Sequence, residues 1–189
     1  NCSNNNLTSL DVSANTALEF LLCNSNSLSS LDVSTNAALV SLACSDNNLT
    51  SISTNTTLIA LFCNNNSLNS LDISASTALT ELYCINSGLT NLDISTNTAL
   101  TALYCDTNNL SSLDTSSNTA LTTLSCSNNS LSSLDMSANT ALTALFCNDN
   151  NLTSLNLANG NNANLANMNA SNNADLFCIQ IASSFTPPS

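Results

Sequence analysis

The sequence contains no lysine, arginine or histidine, whereas aspartate and glutamate together number 12, so the formal net charge of the 189-residue chain is −12. A typical domain carries charges of both signs on about a quarter of its residues. A protein without cations cannot displace the counterions of a phosphate backbone, so we expect no nucleic-acid partner. Attraction to an anionic membrane surface needs the same cations and is disfavoured for the same reason.

The missing basic residues also exclude most catalytic groups. Without histidine or lysine the chain can build neither a serine–histidine–aspartate triad nor a Schiff base. Two carboxylates about 5–9.5 Å apart could still hydrolyse a glycoside, but Glu81 and Asp106 are predicted to lie about 13 Å apart on neighbouring strands. We therefore predict that the chain is not an enzyme and has no cofactor.

Long hydrophobic runs are missing as well, because no segment is apolar over the roughly 20 residues that a membrane-spanning helix needs. We expect no membrane insertion. The chain begins inside a repeat at Asn1, and residues 186–189 read Thr-Pro-Pro-Ser, which is typical of the start of a linker. These features favour a processed segment of a longer protein, one that could belong to a larger assembly.

Cysteine, in contrast, is abundant, and its spacing reveals a repeat. Six of the seven intervals between the first eight cysteines are 21 residues long, and the other is 19. The full unit reads L-x-x-L-x-C-x-x-N-x-L-x-x-L-D-x-S-x-N-T-A, as in residues 100–120 and 121–141. This pattern matches the leucine-rich-repeat template, with cysteine in place of its third leucine. The cysteines of the period are Cys2, Cys23, Cys44, Cys63, Cys84, Cys105, Cys126 and Cys147.

Alternation within L-x-C sends the leucine and the cysteine inward and the residue between them outward. Stacked repeats therefore predict a right-handed leucine-rich-repeat solenoid with a parallel sheet on its concave face. The fold belongs to the α/β class, but a 21-residue coil is too short for more than one helical turn, so we expect mostly strands and turns. We predict an array of a partial first repeat plus seven coils (1–157), a degenerate C-terminal capping repeat (158–182) and the start of a linker or tail (183–189).

Over residues 2 to 181 the sequence resembles the secreted leucine-rich-repeat proteins of Bacteroidota, especially the flavobacterial type. Residues 10–18, 92–100 and 134–142 (LDVSANTAL, LDISTNTAL and LDMSANTAL) are similar to the consensus of that family. The resemblance implies an exported protein at the outer cell surface, often delivered by type IX secretion. The chain departs from the family where lysine commonly stands between Ser and Asn; here the residues are Ala14, Thr35, Thr54, Ala75, Thr96, Ser117 and Ala138.

Two files of repeated residues are expected to be structural. Adjacent strands lie ~4.8 Å apart, within reach of a disulfide, but side chains stacked in register point the same way, so buried free thiols fit better than disulfides or zinc. The asparagines would satisfy backbone groups where the chain leaves the strand. The predicted thiol ladder runs from Cys23 to Cys147, and the predicted asparagine ladder comprises Asn26, Asn47, Asn66, Asn108, Asn129 and Asn150 with a further member at Asn5.

The outward residue between Leu and Cys gives a candidate binding site. Four of the seven aromatic residues occupy this position, three of them on consecutive repeats. Exposed apolar patches mark interaction sites, and the surrounding amide, hydroxyl and carboxylate groups suit a sugar or a protein loop. The alternative is that the stacked rings only stabilise the sheet. The predicted stripe comprises Leu22, Phe62, Tyr83, Tyr104 and Phe146, with Glu81, Ile85 and Asp106 beside it.

These observations predict a secreted or cell-surface module that recognises a protein or a carbohydrate through its concave sheet; the alternative is a structural spacer or adhesin stalk segment. Two outside alternatives are calcium and ice binding. The D-x-S-x-N stretch resembles half of a calcium loop but lacks the following glycine and distal glutamate, so its aspartates are predicted to cap turns and no metal is expected. A file of turn threonines resembles ice-binding solenoids, and it comprises Thr16, Thr56, Thr77, Thr98, Thr119 and Thr140.

Overall fold

The computed structural model describes residues 1–182, so the predicted linker at 183–189 lies outside the described residues. The chain forms a solenoid of short parallel strands, and its largest sheet takes one strand from each of eight coils. A single 3-10 turn at Asn162–Asn164 is the only helical element in the described part of the chain. The expectation of strands and turns with almost no helix is confirmed.

Thirteen strands account for the regular structure of residues 1–182, and all but one are three residues long. They are β1 Phe20–Leu22, β2 Ser30–Asp32, β3 Ser41–Ala43, β4 Ser51–Ser53, β5 Ala60–Phe62, β6 Glu81–Tyr83, β7 Ala102–Tyr104, β8 Thr123–Ser125, β9 Ser133–Asp135, β10 Ala144–Phe146, β11 Ser154–Leu157, β12 Asn167–Asn169 and β13 Ile179–Ile181.

The eight-stranded sheet has the order β1-β3-β5-β6-β7-β8-β10-β12, and every pair is parallel. The central leucines pair directly from coil to coil, as Leu42 does with Leu61 and Leu82 with Leu103. On the other side of the coils lie two smaller parallel sheets, β2-β4 and β13-β11-β9. Segments expected to be turns therefore also form short ladders, because identical coils bring identical backbone groups together at every level.

The core is a continuous column of leucines and thiols. The seven cysteines from Cys23 to Cys147 are all buried and free, with exposed fractions of 0%. Burial raises the pKa of the Cys23 and Cys147 thiols to about 12, because an apolar surrounding disfavours the thiolate. Cys2 at one end is half-buried, and Cys178 at the other is exposed.

The predicted asparagine ladder lies where the chain leaves the eight-stranded sheet. The Asn108 side-chain amide donates to the carbonyl oxygens of Cys84 and Cys105, each at 2.9 Å, and its Oδ1 accepts from the backbone N–H of Leu89 at 3.0 Å. Each such side chain thus joins its own coil to the preceding one and satisfies backbone groups that have no ladder partner. Most members are buried, whereas Asn26 and Asn129 are half-buried. Asn5, in the first coil, is exposed, and its amide donates only to carbonyls of its own coil.

A second buried asparagine ladder lies at the opposite turn, within D-x-S-x-N. The Asn97 side-chain amide, for example, donates to the carbonyl oxygens of Ile73 at 3.0 Å and Ser76 at 2.8 Å. The Asn139 Oδ1 accepts a hydrogen bond from the Thr115 hydroxyl at 2.9 Å. Within residues 1–182 four other members have a buried Oδ1 that accepts no hydrogen bond, and these are Asn36, Asn55, Asn97 and Asn118.

The repeated aspartates cap turns. In each of six repeats the carboxylate accepts a hydrogen bond from the backbone N–H of the serine two residues later, as Asp93 does from Ser95 at 2.9 Å. Hydrogen bonds from that serine lower the pKa of Asp93 and its equivalents. No cluster of three or more Cys, Asp and Glu side chains that could hold a metal ion occurs within residues 1–182.

The thiol ladder makes the fold sensitive to alkali. Buried thiols have a raised pKa in the folded state, so the unfolded chain loses its protons first, and folding stability should fall as pH rises above about 8.5 towards about 12. Each buried thiol contributes a slope of about 1.4 kcal/mol per pH unit in this window. The free energy of unfolding of Cys105→Ala, measured with urea between pH 8 and 11, should fall less steeply with pH than that of the unsubstituted chain. Cys178→Ala, which removes an exposed thiol, is the control, and an equal change in both variants would contradict the burial argument.

The Thr115 hydroxyl should stabilise the second asparagine ladder. Thr115→Val keeps the shape of the side chain but leaves the Asn139 Oδ1 without its donor, so we expect the free energy of unfolding to fall by about 1 kcal/mol. The opposite change, Val12→Thr, places a hydroxyl at the equivalent position of the first coil, where it can donate to the unpaired Asn36 Oδ1 of the next coil. We expect Val12→Thr to lower the free energy of unfolding by less than Thr115→Val does. Urea denaturation measures both. A neutral Thr115→Val would show that this hydroxyl does not stabilise the turn.

Candidate binding face on the eight-stranded sheet

The last residues of the first seven strands in the eight-stranded sheet form one straight file, which Asn169 continues on β12. Strand register pairs these residues directly from coil to coil, including Phe62 with Tyr83 and Tyr83 with Tyr104. We call this file the stripe, and it comprises Leu22, Ala43, Phe62, Tyr83, Tyr104, Ser125 and Phe146. The stripe therefore lies on the outer face of the sheet, opposite the leucine and thiol core.

Three rings of the stripe stack on one another. The ring centroids of Phe62 and Tyr83 are 4.8 Å apart with an interplanar angle of 23°, and those of Tyr83 and Tyr104 are 4.5 Å apart at 9°. All three side chains are half-buried. Because the rings cover one another, the ring faces between them are closed, and ring edges are the accessible part of the stack.

The environment keeps the Tyr83 hydroxyl protonated. Burial raises its pKa above the ordinary tyrosine value, and the neighbouring Tyr104 and Glu81 add to the shift because they disfavour a phenolate. The hydroxyl is therefore a hydrogen-bond donor throughout the neutral pH range.

Small residues interrupt the stripe at two places. Ala43 separates Leu22 from the stack, and Ser125 separates Phe146 from it. The Ser125 side chain is only 8% exposed, and its hydroxyl donates to the Asp106 Oδ1 at 2.6 Å. Phe146 is thus held one strand beyond the stack, across the Ser125 position.

A polar network accompanies the stripe at the carboxyl ends of the strands. The Asp106 Oδ1 also accepts the backbone N–H of Ser127 at 2.8 Å, and the Ser127 hydroxyl donates to the Asn148 Oδ1 at 2.8 Å. The half-buried Ile85 occupies the equivalent position beside Tyr83. Within the predicted site, Asp106 is therefore tied to the Ser125 strand, whereas Glu81 lies at the other end of β6.

Sequence reasoning missed Phe20 on this face and the hydrogen bonds that link the turn residues beside it. Phe20, at the start of β1, is 59% exposed and lies on the same face as Leu22, two residues away. A file of side chains at the following turn is also bonded from coil to coil: the Asn65 amide donates to Asp46 at 2.8 Å, and the Asn86 amide donates to Asn65 at 3.0 Å. These turn residues have positive φ angles, so the preference of Asn and Asp for the left-handed region was the available signal.

The predicted alternatives for this fold can also be located. The turn threonines of the suggested ice-binding file are all exposed. Within residues 1–182 no helix has the length and apolar character to cross a bilayer.

Comparison with solved structures defines the fold. The functional domain of InlJ from Listeria monocytogenes, which includes a cysteine ladder, superposes with a TM-score of 0.63 at 33% sequence identity, over 96% of this chain and 43% of that one. The internalin InlF from Listeria monocytogenes strain 4b F2365 gives a TM-score of 0.72 at 23% identity, over 98% and 60%. This chain is a leucine-rich-repeat solenoid.

The leucine-rich-repeat solenoid spans less than two thirds of either internalin chain. The ectodomain of the plant receptor kinase GASSHO1/SCHENGEN3 from Arabidopsis thaliana, solved in complex with CASPARIAN STRIP INTEGRITY FACTOR 2, matches with a TM-score of 0.53 at 18% identity, over 88% of this chain and 24% of that one. No protein-family model and no curated protein sequence matches this chain.

The stack should stabilise the solenoid as well as offer a surface. Tyr83→Ala removes two ring–ring contacts, each worth about 0.5–1.5 kcal/mol beyond the area buried. We therefore expect this variant to lower the free energy of unfolding by about 1–3 kcal/mol more than Phe146→Ala, whose ring stands outside the stack. Guanidinium unfolding of the two variants measures the difference. Equal losses would mean that the stacking contributes nothing.

Proposed function

We propose that this solenoid is a recognition module that binds a partner protein across the stripe face of its eight-stranded sheet. The observation that carries the proposal is the stack of Phe62, Tyr83 and Tyr104, whose half-buried rings form a continuous apolar strip on that face. Aromatic side chains dominate the binding energy of protein interfaces, especially near the centre of the contact. The strip also crosses the middle of the sheet, with strands on both sides of it.

Rigidity strengthens this assignment. Each ring of the stack is fixed by its neighbour, and Tyr83 is held between two rings. A side chain that is already ordered loses little conformational entropy when a partner binds, so more of its contact energy appears as affinity. The ring faces within the stack are covered, so sugars cannot stack on them, whereas an apolar protein surface can pack on the ring edges.

Charge narrows the class of partner. The chain has no cation to pair with an acidic partner, and the stripe is flanked by Glu81 on one side and Asp106 on the other. A complementary surface would place apolar residues over the stack and basic residues around it. We therefore propose a partner with an apolar centre and a basic rim.

The setting of this module belongs to the same proposal. The sequence resembles exported Bacteroidota proteins, and the similar structures include internalins of Listeria monocytogenes. The plant receptor ectodomain is an example of this fold in complex with a ligand. We propose a secreted or outer-surface location, with a degenerate capping repeat at residues 158–182.

Partner capture tests the proposed function. The full chain, immobilised and exposed to secreted and surface proteins of the organism that makes it, should retain a specific protein at low salt and less of it at high salt. Tyr83→Ala should weaken the affinity for that protein by roughly 30-fold or more, as expected for a central aromatic residue.

Thr90→Ala is the matched control, because Thr90 is exposed on the side of the coil away from the eight-stranded sheet. It should leave the affinity unchanged. Equal retention by Tyr83→Ala and the unsubstituted chain would refute the stripe as the interface. A folded chain that retains no protein specifically would instead support the alternative of a structural spacer or stalk segment.

A further inference from the structure

We propose that Asn159 and Gly160 form a site of spontaneous deamidation, and that this covalent modification loosens the capping repeat (158–182) from the coil before it. The reacting groups are the side-chain amide of Asn159 and the backbone nitrogen of Gly160, and the co-reactant is water. This inference goes beyond the proposed protein recognition and does not depend on it. The site lies at the turn opposite the eight-stranded sheet, where the second asparagine ladder reaches the capping repeat.

The second asparagine ladder continues into the capping repeat one residue early. Counted from the pairing of β11 with β9, the position equivalent to the ladder residue Asn139 is Gly160. The ladder bond nevertheless comes from the residue before that glycine. The Asn159 amide donates to the Asn139 carbonyl oxygen at 3.0 Å, just as the Asn139 amide donates to the Asn118 carbonyl oxygen at 2.8 Å. This shift places a ladder amide directly before a glycine.

Asn159 is the only member of this ladder that precedes a glycine. The chain has two glycines, and the other, Gly88, follows Ser87. Ring closure brings the backbone nitrogen of the following residue onto the asparagine Cγ, and a side chain on that residue restricts the rotation that this needs, most of all when it is β-branched. Deamidation is therefore expected at the end of the ladder and not within it. The residues that follow the other ladder asparagines are Ala37, Thr56, Thr98, Thr119 and Thr140.

The local structure leaves this pair open to reaction. Gly160 is exposed, and apart from its chain neighbours no heavy atom lies within 4 Å of the place where a Cβ would stand. Its φ is +77°, in the left-handed region, where glycine rotates freely. The Asn159 side chain is half-buried, and its Oδ1 accepts the N–H of Asn161 at 2.9 Å. That bond folds the side chain back around the Gly160 nitrogen, the atom that must reach Cγ.

The reaction replaces one nitrogen by one oxygen. Hydroxide takes the proton of the Gly160 N–H, and the nitrogen forms a bond to the Asn159 Cγ. The bond between Cγ and Nδ2 breaks, and Nδ2 leaves as ammonia after taking a proton from water. Water then opens the resulting cyclic succinimide at either of its two carbonyl carbons, which gives aspartate or isoaspartate at position 159. No oxidant, reductant or enzyme is needed, in keeping with the thermal lability of asparagine.

Both products remove the bond from Asn159 to the preceding coil. A carboxylate has no hydrogen to donate, so the Asn139 carbonyl oxygen would lose its donor and face a negative charge that no lysine, arginine or histidine of the chain offsets. Isoaspartate also lengthens the backbone by one methylene at this turn. The turn holds β13 as well, because the Asn162 Oδ1 accepts the N–H of Ala182 at 3.0 Å. Deamidation should therefore free the part of the capping repeat that includes β13.

Peptide mapping of the aged full chain tests the site. After incubation in mildly alkaline buffer, mass spectrometry should find the mass gain of an amide-to-carboxylate exchange at Asn159 before it appears at any other asparagine, together with released ammonia. Gly160→Asn should slow the reaction roughly tenfold or more, because asparagine accepts a positive φ but carries a Cβ. Asn159→Gln is the matched control. It keeps an amide but would have to close a larger ring, so position 159 should stay unchanged.

Hydrogen exchange tests the structural consequence. In the aged chain and in freshly made Asn159→Asp, the backbone amides of β13 should exchange roughly tenfold faster than in the unaged chain, whereas those of β6 and β7 should not change. Aged Asn159→Gln should match its unaged form. Deamidation at Asn159 no faster than at Asn139, an undiminished rate in a Gly160→Asn chain whose β13 stays protected, or unchanged β13 exchange in the converted protein would overturn the proposal, whatever the outcome of partner capture.

Discussion

In-register stacking of identical coils is the constraint on which the rest of this solenoid depends. The column of leucines and thiols can exclude water only if each coil places the same side chains above those of the coil before it. Such stacking also buries the backbone at both turns, where no strand partner satisfies the peptide groups. The side-chain amides of Asn108 and Asn97, and of their equivalents, join successive coils at those two turns. Hydrophobic burial and amide bonding are therefore parts of one requirement, because neither is satisfied at a different register.

The same constraint creates the surface chemistry. A coil that repeats inside must also repeat outside, so each outward position becomes a straight file whose members are one strand spacing apart. That spacing brings the rings of Phe62, Tyr83 and Tyr104 into stacking distance without any further adjustment. Repetition also places aspartates at the same position of successive coils, where their turns limit the repulsion between them. The Asp93 carboxylate and its equivalents are exposed and accept hydrogen bonds from their own turn, so water and local bonds offset repulsion between levels.

The period of the sequence was sufficient to predict the fold, the strand positions and the alignment of the aromatic residues. Periodicity assigns each residue to a level and a direction, and register follows when all levels are equal. It could not predict the second asparagine ladder, because Asn97 and its equivalents lie in a D-x-S-x-N stretch that also reads as an exposed turn. Nor could it predict the bond from Ser125 to Asp106, which depends on which of several rotamers a half-buried carboxylate adopts. Interactions that recur at the same position of every coil can be predicted from the sequence. An interaction made once, by a side chain with several possible partners, cannot.

One coil of the array is two residues shorter than the others, and it shows that strand register in the eight-stranded sheet is kept more strictly than the length of the opposite turn. The interval between Cys44 and Cys63 is two residues short, yet Ala43 still pairs with Phe62 and the eight-stranded sheet continues without a shift. The change is absorbed at the outer turn, where the Asn55 amide donates to the carbonyl of Leu39 and the next coil replaces its asparagine by Ser76. An outer turn that can lose two residues while the stripe keeps its register indicates that sequence variation is accommodated there. Residues on the eight-stranded sheet can therefore alternate between rings and small side chains without disturbing the register, and this variation is where the binding specificity that we propose would be determined.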